Sequence, residues 1–377
     1  MSIIIKEVNS KKLLKAFINF PCHLYRGNPF YVPALQFDEK ATLQKNKNPA
    51  FEYCEARYWL AYEEDRAVGR IAGIFNKAYI EKWNNKFMRF GWLDFEEDKQ
   101  IAMALISQVE SWAKEKGMKA VHGPMGFTDF DHEGMLIEGF DQLGTLATIY
   151  NYPYYPSFME NMGYYKDADW VEYKIKIPAE LPEKLKKMAS IAERRLNLSL
   201  VKARKAKDIL PYAKDIFQLI NSTYSELYGV VPLTERQINY YTRQYFSFIR
   251  ADFVPLVLND KGKLIACGIT MPSISAALQR AKGRLLPFGF THILKALRHN
   301  TLADLYLVAI DKEFQGKGVT AILMRELTKT YIKNGIEYAE SNPELEINKK
   351  VQSMWKHYEV IQHKRRRCYI KYLNNGE

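Results

Sequence analysis

At 377 residues the chain is too long for one ordinary core and comfortable for two, because single domains usually run to roughly 100–200 residues. A hydrophobic fraction of 47% and a charged fraction of 26% belong to a folded globular protein and argue against disorder. A formal net charge of +12 draws in an anionic ligand, with nucleic acid, a membrane face and a phosphorylated cofactor all open.

The N-terminal apolar run Ile3-Ile4-Ile5 is too short for a signal peptide, and no later stretch reaches the roughly 18 apolar residues of a membrane span, so a cytoplasmic location is expected. Cys22, Cys54, Cys267 and Cys368 are scattered without a C-x-x-C pair, which predicts neither a disulfide framework nor a cysteine-rich metal site. The run Arg365-Arg366-Arg367 beside Lys364 reads as a solvated strand edge.

Taken in order, the chain reads twice. Ile4 to Leu14 lies against Leu200 to Leu210, each a short strand running into a helix. Asp65 to Ile74 lies against Asp260 to Ile269, each a polar turn and apolar strand following a first apolar run, Tyr58 to Tyr62 and Val254 to Leu258; both are hairpin signatures. Ser157 to Tyr164 lies against Ser353 to Val360, before the strands Trp170 to Ile175 and Cys368 to Tyr372. Long helices are predicted at Ile101 to Lys116 and Val319 to Asn334, the second with Val319, Ile322, Leu323, Leu327 and Tyr331 at helical spacing; Gly117 and Gly335 stop them. Two copies of one α/β fold with a mixed sheet follow, at 1–180 and 198–377, joined by a linker helix at 181–197.

In the second copy the apolar strand Leu305 to Ile310 leads into Gln315-Gly316-Lys317-Gly318-Val319-Thr320 and the long helix. Glycines let backbone N–H groups approach a phosphate closely, and the helix N-terminus favours its charge. Neither the nucleotide P-loop spacing nor the dinucleotide G-x-G-x-x-G is present. The turn resembles the coenzyme A loop [QR]-x-x-G-x-[GA] of the GCN5-related N-acetyltransferases (GNAT), with Gln315 and Gly318 in place and Thr320 departing from the pattern. Asn348 to Val360 resembles the closing pattern N-x-x-A-x-x-L-Y-x-x-x-G-F of that superfamily.

The resemblance implies two tandem GNAT-like acyl-CoA N-acyltransferase domains, with acetyl-CoA or another acyl-CoA bound by the second. Gln315, Gly316, Lys317, Gly318, Val319 and Thr320 would hold the pyrophosphate, Leu307, Val308 and Ala309 would offer main-chain groups to the pantetheine arm, and Asn348 would meet the cofactor. Trp355 stands where the family often places a tyrosine as general acid, and an indole N–H cannot replace a phenol in proton transfer. Tyr358, three residues on, is the substitute candidate; Glu340 is the candidate base, against the plainer reading of a solvated or ion-paired surface glutamate.

The first copy departs from the loop. Aligning the long helices through Gly117 and Gly335 puts Asp98-Lys99-Gln100 opposite Gly316-Lys317-Gly318, with Glu96 and Glu97 before them, so this copy should repel a pyrophosphate. It carries instead a glycine- and proline-rich segment, His122 to Phe127, Asp131-His132-Glu133, and Tyr150-Asn151-Tyr152-Pro153-Tyr154-Tyr155. That segment is either an acceptor pocket with Tyr152, Tyr154 and Tyr155 as walls, or aromatic packing against the neighbouring domain with the charged trio in a turn; no second histidine at ligand spacing supports a metal. Tyr240-Tyr241 with Tyr245-Phe246, in a predicted helix, fit core, acceptor cleft or dimer surface alike.

The leading expectation is an N-acyltransferase acting on a small-molecule or peptide amine that enters a cleft shared by both copies. Its rivals are a transferase using aminoacyl-tRNA as donor, with the basic surface on RNA, and a non-catalytic module that binds acyl-CoA or a partner.

Overall fold

A computed structural model of the protein describes residues 2–246 and 249–373. The first run of elements is β1 (Ile3–Glu7), α1 (Lys11–Leu24), α2 (Gln36–Thr42), the hairpin β2 (Cys54–Glu63) and β3 (Arg66–Asn76), α3 (Lys77–Trp83), β4 (Phe87–Phe95), α4 (Lys99–Glu115), β5 (Ala120–Gly123), β6 (Met135–Glu138), α5 (Tyr154–Asn161) and β7 (Tyr165–Lys176). The second opens with α6 (Glu183–Leu196), β8 (Ser199–Leu200), α7 (Ala206–Ile209), α8 (Ala213–Tyr224), α9 (Glu235–Tyr245), the hairpin β9 (Leu256–Leu258) and β10 (Leu264–Pro272), α10 (Ser275–Ala281) and α11 (Gly289–Arg298). It closes with β11 (Leu302–Ile310), α12 (Val319–Lys333), β12 (Tyr338–Ser341), β13 (Glu344–Leu345), α13 (Lys349–Gln352) and β14 (Glu359–Tyr372). Strand, helices, hairpin, strand, long helix, strand, helix, strand recurs in both runs.

The chain forms two compact units. Unit 1 takes in the described residues of Met1–Val171, Ser275–Ile293 and His363–Glu377; unit 2 takes in those of Glu172–Ile274 and Leu294–Gln362. These boundaries cut across the sequence copies at 1–180 and 198–377: the last strand of each copy runs on, and 275–293 of the second copy belongs to unit 1. The end of β7 pairs with β12 in unit 2, Glu340 opposite Lys174, and the end of β14 pairs with β5 in unit 1, Tyr369 opposite Gly123.

In unit 1 the strand order is β1-β2-β3-β4-β5-β14, and β6 also pairs with β14, along residues 365–367. Alternation along β2 divides the core: Trp59 and Ala61 face α4, whose Leu105, Val109 and Trp112 are buried, while Tyr58, Leu60 and Tyr62 face Phe17 of α1. Each fully buried side chain of this size is worth about 1.5–3 kcal/mol. Tyr152, Tyr154 and Tyr155 pack in this same unit, with Tyr155 stacked on Phe95 at 4.1 Å and the Tyr154 hydroxyl donating to the Phe95 carbonyl at 2.6 Å. Their packing against the core of their own unit replaces the expected packing against a neighbouring domain.

In unit 2 the order is β7-β12-β11-β10-β9-β8. The five apolar residues named on the second long helix are all buried on α12. Ala189 and Ala192 of α6 pack on that helix, and Arg325 pairs with Glu193 across the contact. Tyr241 of α9 is core: it is buried and stacks on Phe217 of α8.

The arginine run is a correction. Residues 365–367 pair with β6 and lie inside the sheet, Lys364 and Arg366 are almost completely buried, and Asp169 accepts from Arg367 Nε at 2.8 Å and from Arg365 Nη1 at 3.3 Å. The carboxylate that neutralises the run lies far from it in sequence, so charge density alone reads as solvation. Burial works against ionising Asp169, yet hydrogen bonds and charge from Arg367 and Lys166 hold its carboxyl below the usual range. Asp169→Ala is expected to lower unfolding stability by about 2 kcal/mol at neutral pH. A depressed carboxyl contributes above its unfolded pKa, so in denaturant titrations the deficit should persist at pH 7 and shrink as pH falls below about 4.

Candidate functional site

The site begins where two parallel strands part. In unit 2, β11 pairs with β12 only from Leu302 opposite Tyr338 to Leu305 opposite Ser341. A register shift against β10, with Ile269 opposite Leu307 and Thr270 opposite Leu305, leaves Tyr306 as the extra residue of a bulge. Backbone freed by the parting has to find partners. Asn342 donates its N–H to Leu305 O at 2.9 Å and its Nδ2 to Tyr306 O at 3.2 Å. The Tyr224 hydroxyl, at the end of α8, donates to Val308 O at 2.9 Å and accepts from Val308 N at 3.3 Å. Of the main-chain groups that the resemblance offers to a pantetheine arm, those of Val308 are thus met by one side chain.

Beyond β11 the chain turns through Gln315 to Gly318 into α12. Gln315 braces the turn, its Nε2 donating to Ile310 O at 3.0 Å, and Arg195 of α6 donates to Lys317 O at 2.9 Å. Gly318 is the N-cap, with φ of 92° and no side chain to cap the helix, and a Cβ there would stand 3.2 Å from Ala192 Cβ. Gly316 has φ of 72° and open space around it. The first amides of a helix have no intrahelical acceptor, so Val319 and Thr320 present N–H groups at the positive end of a 15-residue helix, beside the Lys317 ammonium. This donor set fits a pyrophosphate.

Buried carboxylates line the vertex. Asp304 and Glu340 are register partners across β11 and β12, exposed by only 1% and 6%. Glu340 is therefore no surface glutamate, and an oxygen of Glu172 lies within 4.8 Å of one of its own. Tyr306 donates to Asp304 Oδ2 at 3.1 Å; burial first, then Asp304 and Glu340, raise its pKa well above the ordinary phenol. Trp355 donates from Nε1 to Glu344 Oε1 at 2.8 Å, and burial pushes that carboxyl up to about 7 against this bond and one from Ser341. Tyr358 faces α12, its hydroxyl 2.9 Å from Thr328 Oγ1, and burial raises its pKa. Asn348 caps α13, accepting from Val351 N.

Of the residues singled out in the sequence, the structure gathers Leu307 to Ala309 and Gln315 to Thr320 along one strand-turn-helix and puts Glu340 on the neighbouring strand. Asn348 and Tyr358 have local partners in a helix cap and against α12. Sequence reasoning missed Asp304, Tyr306, Tyr224, Asn342 and Glu172. Asp304 and Tyr306, two apart in an otherwise apolar strand, carried a readable signal; Tyr224 carried none.

Unit 1 has the same parting strands, closed. β4 and β5 pair only from Phe87 to Arg89, after which Met125 N donates to Phe90 O at 2.8 Å. The approach is tight: a Cβ on Gly91 would stand 2.5 Å from Met125 O, and one on Gly123 2.2 Å from Phe90 O. At the start of α4, Asp98 accepts from Gln100 N at 2.7 Å, capping the helix with a carboxylate where α12 has glycine.

What remains in unit 1 is a cavity of about 70 Å³ walled by Tyr31, Arg70, Asp94, His132, Tyr150 and Tyr155, among others. Arg70 is paired with Asp94 at 2.7 Å, and Tyr25 donates to the same carboxylate at 2.8 Å. His132 contacts Leu146 O at 2.9 Å, and burial lowers its pKa. Asp131 accepts from Phe127 N and Thr128 N, yet burial raises its carboxyl to about 6.

Comparison with known proteins agrees with this geometry. Residues 213–358 match the family model described as the acetyltransferase (GNAT) family. The chain is 26% identical to "Protein YghO" of Escherichia coli (strain K12) over 98% of its length and 95% of the relative. It is 24% identical to "Bacterial ceramide synthase" of Caulobacter vibrioides over 96% of its length and 95% of the relative. A solved tandem GNAT protein from the clavulanic acid biosynthesis pathway superposes with a TM-score of 0.56 at 12% identity, with 100% of each chain covered. Among the described residues no helix is long and apolar enough to cross a membrane.

The raised carboxyl of Asp131 gives a pH-dependent expectation. A folded pKa of about 6 above an unfolded value near 3.8 means that the folded state binds more protons, so this group's contribution to stability falls between about pH 4 and 6 and stays low above. Asp131→Asn keeps an oxygen for both N–H groups without the charge. Its melting temperature should exceed the parent's by several degrees at pH 8 and match it near pH 4; a parent-like value at both would remove burial as the cause.

Proposed function

We propose that this chain, a tandem member of the GNAT superfamily, is an acyl-CoA-dependent N-acyltransferase that holds the cofactor in unit 2. The observation that carries this reading is the start of α12: a left-handed glycine cap, uncapped amides and a lysine at the end of a strand that has parted from its neighbour. Acyl-CoA, as acetyl-CoA or a longer thioester, supplies the activated acyl group. The amides from Gly316 to Thr320 and the Lys317 ammonium hold the pyrophosphate, and Leu307 to Ala309 offer main-chain groups to the pantetheine arm once the Tyr224 hydroxyl yields Val308. Glu340 takes the proton of the acceptor amine, directly or through water, and Tyr358, kept protonated by its burial, is the proton donor. Asn348 is assigned to the cofactor's approach by resemblance alone.

For the acceptor, the likeness to the bacterial ceramide synthase along nearly the whole chain favours an amine on a long-chain lipid, since ceramide formation is the N-acylation of such an amine. Unit 1 is assigned no cofactor, because its strands are zipped by backbone and its helix is capped by Asp98. Amide-forming transfer needs no metal ligand in this scheme, and none of the residues named is assigned one.

Gly318→Asp would confuse charge with backbone strain, given φ of 92° and the nearness of Ala192, so Lys317→Glu is the sharper probe. At about 100 times its dissociation constant, coenzyme A should stabilise the parent by about 2.7 kcal/mol in thermal shift, and calorimetry should give one site per chain. Lys317→Glu should lose most of that shift. No response from the parent would sink the cofactor site, and two sites per chain would sink the assignment of unit 1 as silent.

Turnover tests the base. With an acyl-CoA and a long-chain amine, Glu340→Gln should cut kcat by about 10²-fold or more while leaving the coenzyme A shift intact. An unchanged kcat would remove Glu340 from the chemistry. Binding by the parent without turnover on short-chain and long-chain amines alike would leave an acyl-CoA-binding module.

A further inference from the structure

The segment from Arg284 to Arg298 carries large apolar side chains that no described residue covers. Leu286 and Phe288 are 77% and 72% exposed, and Phe290 follows at 43%. Single exposed apolar residues are ordinary, but three within five positions at one turn are not. The turn is built. Phe290 N donates to Leu285 O at 2.8 Å, the Thr291 hydroxyl to Phe288 O at 2.7 Å, and Gly289 lies so close to the Arg284 carbonyl that a Cβ there would stand 1.7 Å from its oxygen. The preceding α10 is tied to the body of unit 1: Gln279 Nε2 donates to Pro29 O and Tyr31 O, both at 2.9 Å, and Gln36 N donates to Gly283 O at 3.0 Å. The tip is thus held out on a fixed base.

The helix that follows has more apolar face than it buries. Ile293 and Leu297, one turn apart on α11, are buried, whereas Phe290 and Leu294, also one turn apart, are exposed. The charge around this face has one sign. Between Asp260 and Asp304 the sequence holds no acidic residue, while Arg280, Lys282 and Arg284 of unit 1 flank the apolar tip, all three exposed. Aromatic and leucine side chains at a tip, ringed by lysine and arginine, suit a layer with anionic headgroups outside and hydrocarbon beneath. Protein interfaces, by contrast, are depleted of lysine.

We infer that Leu286, Phe288 and Phe290, with the flanking basic residues, form a docking surface for anionic lipid bilayers, on which the protein sits peripherally. The inference stands on exposure and charge and does not require the acyl-transfer reading of unit 2.

The test uses the full chain and sedimentation with vesicles of phosphatidylcholine alone or mixed in equal parts with phosphatidylglycerol. The parent should bind the anionic vesicles at least about tenfold more tightly than the neutral ones and lose binding in high salt. The triple variant Leu286→Ser, Phe288→Ser, Phe290→Ser should lose about tenfold or more of that affinity with an unchanged melting temperature. Arg280→Glu with Lys282→Glu should lose the preference for the anionic vesicles. Should the triple variant fail to fold, Leu286→Ser alone replaces it, with a smaller loss in the same direction. A parent that binds neither vesicle, or serine variants that bind like the parent, would overturn the proposal. So would a parent that sediments as a dimer, is split by the serine variants and ignores lipid, which would make the surface a contact between two copies.

Discussion

Two parallel strands cannot part inside a folded unit without leaving a row of backbone donors and acceptors, and how each unit satisfies that row decides what it can bind. Main-chain groups left unpaired and buried cost about as much as a lost hydrogen bond each, so the gap must be filled by chain, side chain or ligand. Unit 1 fills it with chain: Met125 N reaches Phe90 O, and glycines at 91 and 123 allow an approach that any Cβ would block. Unit 2 fills it with side chains, Asn342 at the vertex and Tyr224 on Val308. A side chain can leave by rotating about its own bonds, whereas a zipped backbone cannot, and that difference leaves one crevice able to open and the other a closed seam.

The helices that follow the two gaps carry the same distinction. Asp98 satisfies the first amides of α4 with its own carboxylate, which also places negative charge where a phosphate would have to lie. Gly318 leaves the start of α12 without such a cap; its φ of 92° favours glycine, and a Cβ there would press on Ala192 at 3.2 Å. The helix read from the sequence as a linker therefore shapes the glycine turn before α12: Ala192 closes on Gly318, and Arg195 holds the Lys317 carbonyl. Connection and site are built from the same residues.

Much of this was legible in the sequence. The repeat located both hairpins and both long helices, and the glycine turn stood out because it sits between an apolar strand and a helix of apolar period. The acidic residues around Asp98 read as repelling a pyrophosphate; that the Asp98 carboxylate caps α4 is visible only in the structure. What was not legible depends on contacts between distant positions. Asp169 neutralises Arg365 and Arg367 from nearly two hundred residues away, so the arginine run read as solvated when it is buried. Tyr224 reaches Val308 across a similar absence of local pattern. Glu340 reads as a surface residue because a carboxylate in a short strand usually is one; its burial beside Asp304 and Glu172 follows from register. The tryptophan at Trp355 makes sense only with Glu344 in view, since a donor-only indole suits a buried carboxylate.

The net charge of +12 is not spread evenly in its consequences. Arg365 and Arg367 are consumed inside unit 1 by Asp169, and Arg325 is taken by Glu193 and Glu326 in unit 2. Within the acid-free stretch between Asp260 and Asp304, Lys263 is paired with Asp311, while Arg280, Lys282 and Arg284 are exposed close in sequence to Leu286 and Phe288. Part of the basic composition thus stands next to exposed hydrocarbon, a pairing that phosphate-backbone recognition does not need and a lipid surface does. For an enzyme whose acceptor is an amine on a long-chain lipid, that placement would put the protein where its substrate is concentrated, and the apolar tip would then be selected together with the crevice between β11 and β12.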